Sequence, residues 1–296
     1  MNDNDSVTAV LLLSCADQKG LVASVSDFLF RHDGNIIHAD QHTDAEEGVF
    51  LQRVEWELQG FAIKRDEIEE AFRPLADRFG MTWSLHYSDY VPRIAVFVSK
   101  QGHCMYDLLA RLRMGELRAE IPLIISNHDE LRSAVGPAGG AEFHHFPISE
   151  ETKAGQEAAK AGQEAAIIET LDAKSVDLIV LARYMQVLTP EFVGRYPNRI
   201  INIHHSFLPA FAGARPYHQA YERGVKIIGA TAHYVTAALD QGPIIDQDVV
   251  RASHRDSVAD LVRKGKDLEK IVLARAVDLH LRNRIVVYGN KTVVFD

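Results

Sequence analysis

The spacing of apolar positions changes character near residue 90. Before that point, an apolar run at residues 7–13 leads into the polar turn Cys15-Ala16-Asp17-Gln18-Lys19-Gly20. Leu21, Val25, Phe28 and Leu29 then recur at helical spacing, and Asp33-Gly34-Asn35 stops the helix they define. Two strand-like runs follow at 36–42 and 49–58, joined by the polar residues 43–48. Ile68, Phe72, Leu75 and Phe79 mark a second helix, with Pro74 as an expected kink, and residues 81–87 close the segment as a strand. The predicted order is βαββαβ.

Residues 88–93, which include Pro92, read as a linker. Beyond them, strands alternate with helices: strands are expected at 94–98, 123–126, 143–146, 176–181, 200–203 and 228–235. Helices are expected at 106–114, at about 150–171 and, as a long element, at 261–280. The runs around Val96 and Val180 are apolar throughout rather than alternating, as parallel strands covered on both faces must be. This predicts an α/β domain with an open, doubly wound, mostly parallel sheet. Residues 285–288 and 292–295, around Gly289-Asn290, predict a terminal hairpin. The expected division is therefore 1–87, a linker at 88–93, and 94–296. The heptapeptide KAGQEAA occurs twice in a row, at 153–159 and 160–166. Seven residues are almost two helical turns, so the copy lengthens a helix while nearly preserving its facing, and no catalytic role is expected of it.

Composition narrows the function. The chain has 41 acidic and 32 basic residues, a formal net charge of -9, which argues against a general binder of nucleic acid or anionic membranes. Cys15 and Cys104 are the two cysteines, too few for a disulfide framework or a four-thiolate zinc site, and they suit a reducing compartment. The acidic opening Met1-Asn2-Asp3-Asn4-Asp5 does not read as a targeting peptide, and no apolar run reaches the ~20 residues of a membrane span. A cytoplasmic protein acting on small molecules is expected.

The densest polar cluster is Asn202-Ile203-His204-His205-Ser206, at the C-terminal end of a predicted strand, where open α/β sheets place their sites. Strand alternation puts Asn202 and His204 on one side. A donating amide beside an imidazole can hold a carbonyl oxygen as it gains charge, and the imidazole can move a proton. Asp240 precedes the turn Gln241-Gly242-Pro243 after the next strand, where a carboxylate can face that pair. Alone, such an aspartate reads as a turn residue. The pair His144-His145 reads as ordinary strand polar residues. No local spacing of His and Cys resembles a known zinc ligand set, so no metal is expected.

The first segment resembles an ACT domain through Asp17-Gln18-Lys19-Gly20-Leu21-Val22 and Gly34-Asn35-Ile36. The resemblance implies a ferredoxin-like α+β fold, pairing into a homo-oligomer, and an amino-acid effector; a module used for oligomerisation alone fits the pattern equally. The rest of the chain resembles the folate-dependent formyltransferase family, whose site joins Asn-x-His at one strand end to an Asp after the following strand. It implies Asn202, His204 and Asp240 as catalytic residues. Arg183-Tyr184-Met185-Gln186-Val187-Leu188 aligns with the folate-pocket loop, and Thr231, His233 and Val235 match positions beside the substrate.

Within that family, an ACT-like start joined to Gly102-His103-Cys104, Ile124-Ile125-Ser126-Asn127-His128, the segment 204–211 and Gly213-Ala214-Arg215-Pro216-Tyr217 is similar to the deformylase branch. The turn Ser99-Lys100-Gln101-Gly102-His103-Cys104 carries one glycine and bulky side chains, unlike the phosphate-holding loop of the glycinamide ribonucleotide branch. The acidic balance and an end soon after the long helix set the chain apart from the tRNA-modifying branch. The resemblance implies hydrolysis of 10-formyltetrahydrofolate to tetrahydrofolate and formate, which balances one-carbon pools and supplies purine synthesis. The folate is then substrate, and no cofactor is implied. His103, Cys104, His128 and His205 become candidates for lining the pocket. Cys104 beside His103 also admits a nucleophile, though a packed thiol is the preferred reading. Formyl transfer to a small amine, and a non-catalytic, amino-acid-responsive folate-binding protein, are the alternatives.

Overall fold

The computed structural model describes residues 7–135, 140–148, 157–209 and 216–295. The chain divides into two compact units, one formed by Met1–Tyr90 with Arg282–Asp296 and the other by Val91–Leu281.

The first unit runs β1 (Thr8–Ala16), α1 (Leu21–Arg31), β2 (Ile36–Asp44), β3 (Val49–Glu57), α2 (Ile68–Phe79) and β4 (Thr82–Tyr87). Its sheet has the order β2-β3-β1-β4 and every pairing is antiparallel. Side chains alternate along β1. Ala9, Leu11 and Leu13 pack with Leu21, Val25 and Leu29 of α1 and with Ile68, Phe72 and Ala76 of α2. Val10 and Leu12 point to the opposite face and join Leu51, Val286 and Phe295 in a second cluster.

That second cluster corrects the expected boundary. The terminal hairpin, strands Ile285–Tyr288 and Lys291–Val294, was expected to belong with the second domain but lies with the first unit. The reason is physical: β1 is apolar on both faces, and α1 and α2 cover only one of them. Polar ties reinforce the placement. Arg53 Nε donates to the Asn283 carbonyl at 3.0 Å, and the Tyr288 hydroxyl donates to Asp44 at 3.0 Å.

The second unit contains β5 (Arg93–Val98), α3 (His103–Arg113), β6 (Glu120–Ser126), α4 (Arg132–Val135), β7 (Glu142–His145) and α5 (Glu157–Ala173). It continues with β8 (Leu178–Leu181), α6 (Pro190–Arg195), β9 (Ile200–His204), α7 (Pro216–Arg223), β10 (Ile227–Tyr234), β11 (Ile244–Arg251) and α8 (Val258–Leu281). The sheet order is β11-β10-β9-β8-β5-β6-β7. The strands from β7 to β9 pair in parallel, whereas β9–β10 and β10–β11 pair antiparallel. Ala95, Phe97, Leu123, Ile125, Ile179, Leu181 and Ile200 supply the sheet side of a core closed by Ile167, Leu171 and Phe192 from helices.

Strand β11 was not anticipated. Its sequence, IIDQDVVR, sets a polar centre between two apolar pairs, and it is an edge strand with a single neighbour. Residues 153–156 of the first KAGQEAA copy lie outside the described residues. The second copy lies in α5, where buried Glu164 accepts hydrogen bonds from the Thr189 backbone N–H, at 3.0 Å, and from its hydroxyl. Among the described residues, no helix is long and apolar enough to cross a membrane.

Truncating Phe295, which is 2% exposed, removes a large side chain from the small second cluster. Phe295→Ala is expected to lower stability by about 3 kcal/mol or more, read from the denaturation midpoint of the first unit's transition.

Candidate active site

The site is built where the sheet changes direction. Because β10 runs antiparallel to β9, Asn202 lies opposite His233, and His204 opposite Thr231. Opposed residues in such a pair share a face. The Asn202 side-chain amide accordingly donates to His233 Nε2 at 3.2 Å. The other ring nitrogen, Nδ1, lies 2.9 Å from the Tyr234 carbonyl, which can only accept, so Nδ1 carries the proton and Nε2 is left as the acceptor. Burial pushes the His233 pKa down, which favours this neutral form. The second N–H of Asn202 is then free for the cavity that Asn202 lines.

After β10 the chain doubles back through residues 236–243. A Cβ at Gly242 would collide with the Tyr234 carbonyl, so only glycine lets the turn close onto the strand. Asp240 adopts a left-handed conformation, with φ of 54°, which aspartate tolerates better than most residues. The turn delivers its carboxylate 3.3 Å from His204 Nδ1 and 3.8 Å from His233 Nε2. The hydrogen bond from His204 outweighs partial burial and holds the Asp240 carboxyl below its ordinary pKa. On the far side of the ring, His204 Nε2 is buried without a protein partner.

These groups open onto a cavity of about 490 Å³. Residues Arg183 to Leu188 form one wall, joined by Val235 and Leu239. Met185, Val187 and Leu239 are well exposed and give the rim an apolar character. The wall segment is held at both ends. The Met185 N–H donates to Ser99 Oγ at 3.0 Å, the Tyr184 ring packs edge-on against Phe97, and Glu164 takes Thr189.

A second polar group lies beside Arg183. Glu269, on α8, is 1% exposed, yet its carboxylate lines the cavity. Tyr217 donates to one of its oxygens at 2.6 Å, and His103 Nε2 donates to the other at 2.8 Å. Arg183 Nε stands 3.5 Å from that second oxygen. Burial pushes the Glu269 pKa up, but His103, Arg183 and Tyr217 together outweigh it, so the carboxyl lies below its usual value. Burial and the Glu269 charge push the Cys104 thiol well up, which opposes a nucleophilic thiolate. His205 lines the cavity as well, and burial with the Arg183 charge pushes its pKa down to about 4.

Sequence comparisons agree with this geometry. The formyl transferase family pattern matches residues 92–277, and the ACT domain pattern matches residues 9–77. A formyltetrahydrofolate deformylase of Synechocystis sp. is 58% identical over 290 residues, covering 98% of this chain and 99% of the relative. The Bacillus subtilis formyltetrahydrofolate deformylase is 50% identical, covering 97% and 93%. The crystal structure of a Pseudomonas syringae formyltetrahydrofolate deformylase superposes with a TM-score of 0.94 at 44% identity, covering 100% of this chain and 96% of that one. The chain belongs to the formyltetrahydrofolate deformylase family. A glycinamide ribonucleotide transformylase structure from Symbiobacterium toebii matches 72% of this chain and 98% of its own, with a TM-score of 0.63 and 33% identity.

In this deformylase, Asn202, His204, Asp240, His233, Val235, His205 and all six residues from Arg183 to Leu188 line one cavity. Four of the residues singled out from sequence do not. Thr231 is fully buried beneath the segment after β9: its hydroxyl donates to the Ser206 carbonyl and accepts from the Leu208 N–H and from Gln247. His128 follows β6, three strands from β9 and thus about 14 Å across the sheet, and its ring lies 3.8 Å from Glu130 instead. His103 and Cys104 stand behind Glu269 rather than on the cavity surface. Residues 210–215, including Gly213-Ala214-Arg215, lie outside the described residues. Glu269 and Tyr217 have no place among the sequence candidates. The signal for Glu269 was its phase: it shares the buried stripe of α8 with Leu261, Leu268, Val272 and Ala276.

Gly242→Ala is expected to displace Asp240 and lower kcat by about tenfold or more, with circular dichroism unchanged, since sub-ångström placement of a reacting group is worth that much. The lowered pKa of His205 makes folding favour its neutral form. Its stabilising contribution is complete above about pH 6.5, the unfolded value, and declines as the pH falls toward 4. Denaturation midpoints measured from pH 7 to 4 should therefore fall less steeply in His205→Gln than in the unaltered protein.

Proposed function

We propose that this chain hydrolyses 10-formyltetrahydrofolate to tetrahydrofolate and formate, with Asn202, His204 and Asp240 as the reacting groups. The observation that carries the reading is the convergence of a free amide N–H, an unpartnered buried imidazole nitrogen and an ionised carboxylate on one apolar-walled cavity. The pterin and aryl rings would lie along the wall formed by Tyr184, Met185, Val187 and Leu188. Lys266 and Arg183 offer positive charge for an anionic tail.

In the mechanism we assign, the formyl oxygen accepts from the Asn202 amide and from His204 Nε2, with both nitrogens of His204 protonated. Asp240 accepts a proton from the attacking water as the water oxygen bonds to the formyl carbon. Charge gathering on the carbonyl oxygen is met by donors already in place, which is where such a site gains most. Collapse of the tetrahedral adduct breaks the carbon–N10 bond. N10 takes the proton held by the Asp240–His204 pair, and formate leaves after losing its remaining acidic proton to solvent.

The ACT match of the first unit supports an amino-acid-responsive module, and its β2 edge, with Ile36 and Ile37 exposed, is available for pairing with a second copy of the chain. A cytoplasmic setting fits the reading, and no cofactor enters the scheme.

The decisive assay follows 10-formyltetrahydrofolate with candidate amines present and absent. Formate equal to substrate consumed is expected in both. A formylated amine would establish transfer instead, and no turnover would leave a binding protein. Asn202→Ala and Asp240→Asn are expected to lower kcat by about 100-fold or more while retaining the folded spectrum; near-normal turnover in either would sink the assignment.

A further inference from the structure

Among the described residues, His103, Cys104 and Glu269 bring an imidazole nitrogen, a thiol sulfur and a carboxylate oxygen within 4.8 Å of one another. None of these groups has a part in the hydrolysis set out above. Both cysteine and glutamate are buried, and His103 is nearly so. The three sit on regular elements rather than loops: His103 and Cys104 open α3, and Glu269 projects from the interior of α8.

The spacing suits a metal ion. Bonds of ~2.3 Å to sulfur and ~2.0–2.2 Å to nitrogen or oxygen place tetrahedral ligand atoms about 3.3–3.8 Å apart. The trio therefore needs adjustments of about 1 Å, including an opening of the 2.8 Å contact between His103 Nε2 and Glu269 Oε2. The ligand orientation is already prepared. Tyr217 fixes the other Glu269 oxygen at 2.6 Å, the type of outer hydrogen bond that orients a ligating carboxylate. Gly265, one turn earlier on α8, is what admits Tyr217, since a Cβ there would collide with its hydroxyl.

We propose that Cys104 Sγ, a ring nitrogen of His103 and Glu269 Oε2 form a binding site for one divalent first-row transition ion of the zinc or iron(II) class, with a water molecule as its remaining ligand. A thiolate beside an imidazole and a carboxylate selects such ions over magnesium or calcium, which take oxygen ligands. Coordination forms the metal–sulfur bond and breaks the S–H bond, whose proton passes to solvent; the proton on His103 Nε2 moves to Nδ1 through solvent, leaving the ring neutral and Nε2 free to bind, and no electron moves. With Arg183 counted, the group goes from neutral to one net positive charge. That guanidinium, 3.5 Å from Glu269, opposes a further cation, so the thiolate must supply much of the affinity. The site does not depend on the hydrolytic reading, and its test is independent of turnover.

Having only two cysteines makes the test clean. The full-length protein, stripped with a chelator and dialysed, is titrated with Co2+ alone. One equivalent is expected to saturate it, with a thiolate-to-cobalt charge-transfer band that Zn2+ then erases. Cys15→Ser keeps the band and Cys104→Ser loses it, with an affinity at least about tenfold weaker. As a check that needs no variant, Zn2+ should slow alkylation of Cys104, read by peptide mass, by at least about tenfold. Absence of the band in the unaltered protein, its survival in Cys104→Ser, or unprotected alkylation would each overturn the proposal.

Discussion

The reversal of strand direction between β9 and β10 governs the chemistry of the second unit. Opposed residues of an antiparallel pair face the same side with Cβ atoms about 4.5–5.5 Å apart, close enough for a direct hydrogen bond. Asn202 and His233 form that bond, and the Tyr234 carbonyl settles which ring nitrogen receives it. The amide is thereby oriented before any substrate arrives. The turn between β10 and β11 then carries Asp240 back to His204.

Glu269 presents the opposite problem. A carboxylate almost wholly removed from water is costly unless donors surround it. Two elements supply them, α3 through His103 and α7 through Tyr217, and the Arg183 guanidinium after β8 adds an opposite charge 3.5 Å away. Satisfying one buried charge therefore fastens several parts of the cavity wall together. The two acidic groups of the cavity are held by different partners, Asp240 by His204 and Glu269 by His103 and Tyr217.

Much of this was legible in the sequence because it rests on local pattern. The helical spacing of Leu21, Val25 and Leu29 and the uninterrupted apolar runs at Val96 and Val180 follow from burial, and burial is written into residue type. Asn202, His204 and Asp240 were legible as side chains clustered at strand ends. Features that depend on which distant segment supplies a cover or a partner were harder to read. The apolar run at residues 7–13 did demand cover on both faces, but nothing local pointed to the terminal hairpin as the source. His128 looked equivalent to His205 by type and strand-end position, and strand order alone separates them. Glu269 lies within the long helix expected at 261–280, and its role depends on Tyr217 and His103 from distant segments. Strand β11 lacks a regular alternation, since its Ile and Val pairs flank the polar residues Asp246, Gln247 and Asp248.

The split first unit has a consequence for the order in which the protein can be made. Nascent chains ordinarily complete their leading module first. Here the sheet that emerges early from the ribosome keeps Val10, Leu12 and Leu51 uncovered until the hairpin around Val286 and Phe295 has been synthesised, after the whole intervening unit. The leading segment is therefore the last to finish folding, and throughout translation its exposed apolar face is the surface on which a chaperone would act.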